Sequence, residues 1–352
     1  MKERRPPLID RHVAQPATHP PEARGLARDE VRLLVSRGHG HEHAVFHELA
    51  DFLPAGALLV VNTSATLPAS LPASARFGTF ILNLSTRYAD RLWLAEPRWS
   101  AARPGPLPLA AGEIFEVAGM SARLVAPYPA LPRLWFVTFD GSVEMAMADE
   151  GEPIRYGYVE APFPPLSAYQ TIFAERPGSA EMPSAARPFS QRVLDELAWR
   201  NMTVASVELQ TGVSSLEVGD GAAGRALYPE PFAVPAETAA AVNSARRDGR
   251  AVIAVGTTVV RALESAFDGT RVHPASGFTR LFVDPRRGVS TVDGLITGFH
   301  DPHATHLAML HAIAGETRIA AAYEVAAHEG YLWHEFGDSH LILRNGEGRF
   351  AT

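Results

Sequence analysis

The residues best suited to chemistry lie in the second half of the chain: Gly256, Thr257 and Thr258 in succession, Arg261 and Glu264 just behind them, then Asp293, Thr297, Phe299 and His300. A glycine and two hydroxyls at a strand-to-helix turn present unpaired backbone N–H groups and the positive end of a helix. That suits a carboxylate, a phosphate or a sugar hydroxyl. Arg261 and Glu264 stand three apart on one helical face, where they either pair with each other or serve a ligand. His300 closes an apolar segment at the expected mouth of a sheet, as an acid or hydrogen-bond donor. Asp293 sits where a carboxylate is either a cap or a ligand group.

Other histidines invite a metal reading and do not complete one. His39, His41 and His43 alternate, and His43 and His47 share a helical face, but no carboxylate pattern joins them. His303 and His306 continue a helix start and His311 lies on the helix face, so no metal is expected.

The elements that must position these residues follow from the pattern of apolar side chains. Ala251 to Val255 reads as a buried parallel strand and Val259 to Ser265 as an amphipathic helix. Upstream, residues 28 to 35 predict a first strand, His39 to Leu53 a loop running into a helix, and Ala57 to Val61 a second buried strand ending at Asn62. Residues 1 to 25 read as an extended arm. Between Thr66 and Asp149, short alternating runs at 75–85, 91–97, 113–119, 121–127 and 133–140 are separated by proline and glycine. They predict an inserted β-barrel or sandwich with Trp93, Trp99 and Trp135 in its core or rim. Gly151 to Gln170 is a rigid connector. Beyond it come a helix over Ser190 to Arg200, a strand over Thr203 to Leu209 and a Gly/Ser-rich loop over Gly212 to Gly224. A helix over Pro235 to Arg247, strands at Arg280–Val283 and Val292–Ile296, and helices at His303–Ile313 and Arg318–Glu329 complete the series. The fold class is therefore an α/β main domain, 1–65 with 150–352, carrying an inserted all-β barrel-like domain at 66–149.

Composition narrows the chemistry. The 352 residues are 46% apolar, enough for a sizeable core, with a formal charge of −7 that gives no global attraction to nucleic acid. No cysteine is present, which excludes disulfides, thiolate catalysis and iron–sulfur ligation. The single lysine is Lys2, so a Walker lysine, a Schiff base and pyridoxal phosphate chemistry are excluded too. No apolar run is long enough for a membrane span and the N-terminus lacks a signal-peptide core, so the cytoplasm is expected.

Four blocks, YQTIFAERPG (169–178), GTTVVRALES (256–265), VDGLITGFH (292–300) and FGDSHLIL (336–343), resemble the S-adenosylmethionine:tRNA ribosyltransferase-isomerase family of queuosine biosynthesis in sequence and order. Residues 28–35 and the segment from Asn62 to Pro68 extend the resemblance over most of the chain. It implies an α/β domain with a β-barrel insertion, and a reaction in which S-adenosylmethionine gives up its ribosyl group. In such a reaction a base removes a proton from the 5′ carbon and adenine leaves. The amine of 7-aminomethyl-7-deazaguanine in tRNA then attacks the 1′ carbon, and methionine departs as a cyclopentene epoxide closes. Implied substrate-binding residues are Tyr169, Gln170, Gly256, Thr257, Thr258, Arg261, Glu264, Thr297 and Phe299. His300, Asp293 and Glu230 are the expected catalytic groups, S-adenosylmethionine is the co-substrate, and no metal is needed.

Departures from the family pattern are specific. Pro188 stands in for the histidine of APTAGLHF, and Gln210 for that of TLHVGxGTF. Residues 225–230 keep only the acid of HxMHSE, as Glu230. Thr63, Ala65 and Ser70 replace an acid and two arginines, and Ser276 to Arg280 replaces SGWTD. With two central imidazoles gone, Glu208 and Glu230 are the acids left to replace a lost base. Three functions remain in play: the family reaction on tRNA, a divergent enzyme using S-adenosylmethionine with another acceptor or as a lyase, and a non-catalytic ligand- or RNA-binding paralogue. The sequence leaves the oligomeric state open.

Overall fold

A computed structural model describes residues 15–129, 131–213, 227–300 and 306–344. Its centre is a nine-stranded sheet in the order Ala275–Thr279, Glu230–Val234, Thr203–Leu209, Leu58–Asn62, Val252–Val255, Gly294–Gly298, Ser339–Leu343, Arg32–Arg37, Gly40–Val45. The four strands from Thr203–Leu209 to Gly294–Gly298 run parallel to one another. Their carboxyl ends therefore open on one edge, where α/β proteins place ligands.

Alternation along the central strands explains why this sheet is covered twice. Leu58, Val60, Val252 and Ala254 pack on one face with helices Ala236–Arg247, Thr257–Ser265, His306–Ala314 and Glu316–His328. Leu59, Val61, Ile253 and Val255 face the other side, against Phe46, Leu49, Phe189, Val193 and Leu197. With period two and both faces apolar, neither side can be left to solvent.

The insertion is a closed antiparallel barrel in the order Met120–Tyr128, Leu131–Phe139, Leu92–Arg98, Gly78–Ala89, Ser70–Ala75, Ile114–Val117, the last strand pairing back to the first. Leu71, Leu82, Leu84, Trp93, Phe115, Leu124 and Val137 fill it, and helix Val143–Glu150 packs Val143, Ala146 and Met147 onto the same cluster. Trp93 is a core residue. Trp99 meets Phe77 edge-on with ring centroids 5.5 Å apart, and Trp135 is half-buried beside the cluster.

Several expectations are corrected. Residues 280–283 form no strand; the strand is Ala275–Thr279, because its backbone pairs with Glu230–Val234. The first strand begins at Arg32, since the Glu30 carboxylate caps the Ala27 N–H and turns residues 28–30 into a 3₁₀ helix. His41 and His43 lie on a hairpin strand rather than in a loop before a helix. Residues 1–14, His303 and most of the predicted loop from Gly212 to Gly224 lie outside the described residues. Among the described residues no helix is long and apolar enough to cross a membrane.

Candidate active site

A cavity of about 140 Å³ opens at the carboxyl ends of the parallel strands, roughly ten times the space one water needs. Gly256 makes its floor possible. It sits at φ 96° with its N–H donated to Ile296 O at 2.8 Å, so the chain can leave the buried strand and start helix Thr257–Ser265 in one residue. Thr257 and Thr258 then reach the cavity wall as the first helical residues. Beneath them the buried Asn62 amide ties two strand ends, donating to Leu209 O and accepting from the N–H groups of Leu209 and Ser64.

Three imidazoles meet in this cavity. His300 and His306 stack with centroids 4.5 Å apart and planes within 7°, and His334 also lines the wall, its backbone N–H donated to Phe299 O at 3.1 Å. His300 Nε2 lies 3.0 Å from Thr297 Oγ1, and its backbone N–H donates to the Tyr323 hydroxyl. Burial holds His300 well below the ordinary imidazole pKa, with His306, His334 and His340 adding repulsion. Burial also pulls His306 down to about 4, assisted by Arg261, and His334 down to about 3, assisted by His306. All three are neutral at neutral pH. His334 adopts a left-handed φ of 73° and bonds the Tyr158 hydroxyl through Nδ1.

Two carboxyls and an arginine complete the wall. Glu181 accepts a 2.9 Å hydrogen bond from the Tyr156 hydroxyl, and Glu335 lies beside it, pushed well above the usual carboxylate range by burial and by the Glu181 charge. Arg261 is held by the Glu230 carboxylate and by Leu281 O, which leaves its second terminal nitrogen with no hydrogen-bond partner among the described residues.

The residues marked in the sequence separate into two groups. Gly256, Thr257, Thr258, Arg261, Thr297, Phe299, His300 and Glu230 all line the cavity. Phe299 does so with its side chain fully buried, stacked on His340, and Glu230 spends both oxygens on anchoring, one on the Gly212 N–H and one on Arg261. Both carboxylate oxygens of Glu230 are therefore engaged by the protein itself. Four others lie elsewhere. The Asp293 carboxylate accepts the Val252 N–H at the amino end of the sheet, opposite to the cavity. Glu264 accepts from Ser290 N, Thr291 N and Thr291 Oγ1 and holds a loop. Gln170 clips the backbone of Thr66, and Tyr169 packs edge-on against Phe336 as support behind the wall.

Glu208, the other acid weighed as a base, engages Gln210 and Arg176 away from the cavity. His306, expected only as part of a helix, lines the cavity. Tyr156, Glu181, His334 and Glu335 carry no motif, yet two signals mark the last three: a lone acid inside the run 179–186, and a His–Glu pair between Trp333 and Phe336. Among the described residues no group of three His, Asp or Glu converges as a metal site.

A family model described as queuosine biosynthesis protein matches residues 11–342. The chain belongs to that family. Relatives within it include the S-adenosylmethionine:tRNA ribosyltransferase-isomerases of Thermus thermophilus, 36% identical over 90% of this chain and 93% of the relative, and of Carboxydothermus hydrogenoformans, 34% identical over 90% and 94%. The crystal structure of S-adenosylmethionine tRNA ribosyltransferase from Thermotoga maritima shares the fold, with a TM-score of 0.50 and 24% identity over 94% of this chain and 95% of that one. Queuosine family membership makes the missing imidazoles informative. Pro188 lies in a side cleft behind Ser184, His334 and Glu335, and Gln210 bonds Glu208, so neither position enters the cavity. The imidazoles that line the cavity lie in its C-terminal half: His300 just past strand Gly294–Gly298, His306 at the first residue of helix His306–Ala314, and His334 in the bend after Trp333.

Proposed function

We propose that the protein transfers and isomerises the ribosyl portion of S-adenosylmethionine onto the amine of 7-aminomethyl-7-deazaguanine in tRNA, giving epoxyqueuosine. One observation carries the reading: the family segments 256–265 and 292–300 meet in a single cavity lined by neutral imidazoles. His300 is the group suited to take the 5′ proton. Burial opposes charging an imidazole, but the proton it accepts leaves a sulfonium-bearing substrate, so the cavity's net charge does not change. The unpaired nitrogen of Arg261, with the N–H groups at the start of helix Thr257–Ser265, suits the methionine carboxylate. No step calls for a metal, and a tRNA acceptor agrees with a cytoplasmic place for the enzyme.

The test is product release from purified protein given S-adenosylmethionine and tRNA carrying the aminomethyl base. Adenine and methionine are expected in equal amounts and only when that tRNA is present. Release without tRNA would replace this reading by a lyase or another acceptor, and binding without any release by a non-catalytic role.

A further inference from the structure

We propose that His334 is the hydrogen-bond donor to the adenine departing from S-adenosylmethionine, through Nε2–H to N3 or N7 of the base, with Tyr158 as the positioning residue that fixes this tautomer. The inference rests on the function proposed above and supplies a group that its chemistry needs. As the C1′–N9 bond breaks, its electron pair goes to the base, and a donor already in place meets the charge that develops on the ring nitrogens. His334 shares its hydrogen and keeps it; the proton that makes adenine neutral balances the one His300 takes from the 5′ carbon.

The tautomer of His334 follows from its partner. Burial holds the Tyr158 hydroxyl well above the ordinary phenol pKa, so it keeps its hydrogen and donates it to His334 Nδ1. Burial also keeps this imidazole uncharged, pulling it down to about 3. A neutral ring that accepts at Nδ1 carries its one hydrogen on Nε2. With Nδ1 spent, Nε2 is the nitrogen left to serve the cavity that the ring lines. His300 differs, since Thr297 Oγ1 can donate or accept, as suits a base whose protonation changes. The position of His334 is fixed as firmly. Tyr156 meets its ring edge-on with centroids 4.3 Å apart, and Trp333 lies at 5.1 Å. Its backbone N–H donates to the carbonyl of Phe299, the residue before His300, and its own carbonyl accepts from Gly337 N at 3.0 Å, so base and donor are carried on joined backbone. The turn is tight: a methyl group at Gly337 would lie 2.6 Å from Leu332 O. Within it His334 sits at φ 73°, a left-handed conformation that persists where the surroundings over-determine a residue, as they do at functional sites.

The test compares S-adenosylmethionine with its 3-deaza and 7-deaza analogues, each lacking one acceptor nitrogen, in the presence of tRNA carrying the aminomethyl base. His334→Ala is expected to lower kcat for S-adenosylmethionine by about 100-fold, the usual share of one preorganised donor, and to change turnover of one analogue by no more than about threefold. The insensitive analogue identifies the nitrogen that His334 serves. Tyr158→Phe, which removes one hydroxyl, is expected to show the same selectivity with a smaller loss, about tenfold. Nitrogen-15 NMR of the native protein labelled at histidine is expected to place the His334 hydrogen on Nε2 from about pH 5 upward. A hydrogen on Nδ1, or losses that fall equally on S-adenosylmethionine and both analogues, would overturn the assignment; the spectrum decides even if a variant fails to fold. No adenine release by the native protein would remove the function proposed above and this donor with it, whereas release with unselective losses removes the donor alone.

Discussion

His300 enters the cavity as a neutral imidazole, fixed by Thr297 and stacked on His306. His300→Ala is therefore expected to lower kcat/KM by about 100-fold or more, the usual share of a proton-transfer group, while the melting temperature moves by only a few degrees. Retained turnover in a stable variant would remove His300 from the mechanism. The buried titratable groups also set the pH dependence of stability, and the signs differ. For His306 and His334 the folded pKa lies near 4 and 3, below the unfolded imidazole value. Between there and about 6.5 the unfolded chain binds more protons, so stability falls as pH drops through that window. Glu335 is raised instead, so the native state holds the extra proton and stability falls as pH climbs above the ordinary carboxylate range. Glu335→Gln should raise the melting temperature at pH 8 and leave it nearly unchanged at pH 4, by thermal scans across pH.

At the scale of elements, the turn after strand Val252–Val255 and the carboxylate of Glu264 make separable predictions. Gly256→Ala leaves enough room for a methyl group, the nearest atoms being 3.4 and 3.5 Å away, but forces alanine to φ 96°. A cost of about 1–3 kcal/mol is expected, together with weaker ligand binding as the first N–H groups of the helix reorient. Glu264→Ala removes a buried acceptor of three hydrogen bonds from the Ser290–Thr291 loop. It should cost about 3 kcal/mol and leave affinity for S-adenosylmethionine unchanged in the folded fraction, by chemical denaturation and calorimetry. A matching loss of affinity would return Glu264 to the ligand site.

Across the whole molecule, the barrel is tied to the sheet next to the cavity. Ser85 of barrel strand Gly78–Ala89 bonds the Tyr228 hydroxyl, which in turn donates to Val213 O, while Tyr88 donates to Pro229 O. Gly212 is held so closely that a methyl group there would lie 2.2 Å from the Tyr228 hydroxyl. Tyr228→Phe breaks this chain of bonds, and a loss of about 1–2 kcal/mol is expected, seen as a lower denaturation midpoint. Much of this architecture was legible beforehand. The buried run 251–255, the helix behind it and the alternating runs of residues 75–140 each have the period of the element they form. The strand at Ala275–Thr279 was not legible, because its three central residues are exposed and only pairing with Glu230–Val234 defines it.

What the sequence determined by itself was the local grammar: which runs must be buried, where a glycine must turn the chain, and which segments carry the family's pattern. Those depend on neighbours along the chain. The lining of the cavity was decided only by the tertiary structure, because the sheet's strand order brings residues 156, 181, 300, 306 and 334–335 to one edge although long stretches of chain separate most of them. The same strand order sends Asp293 to the opposite edge, since a residue before a parallel strand and one after it lie at different ends of the sheet. Burial then shifts the protons, favouring neutral imidazoles and raising the Glu335 carboxyl, and burial is a property of the assembled layers that no short stretch of residues contains.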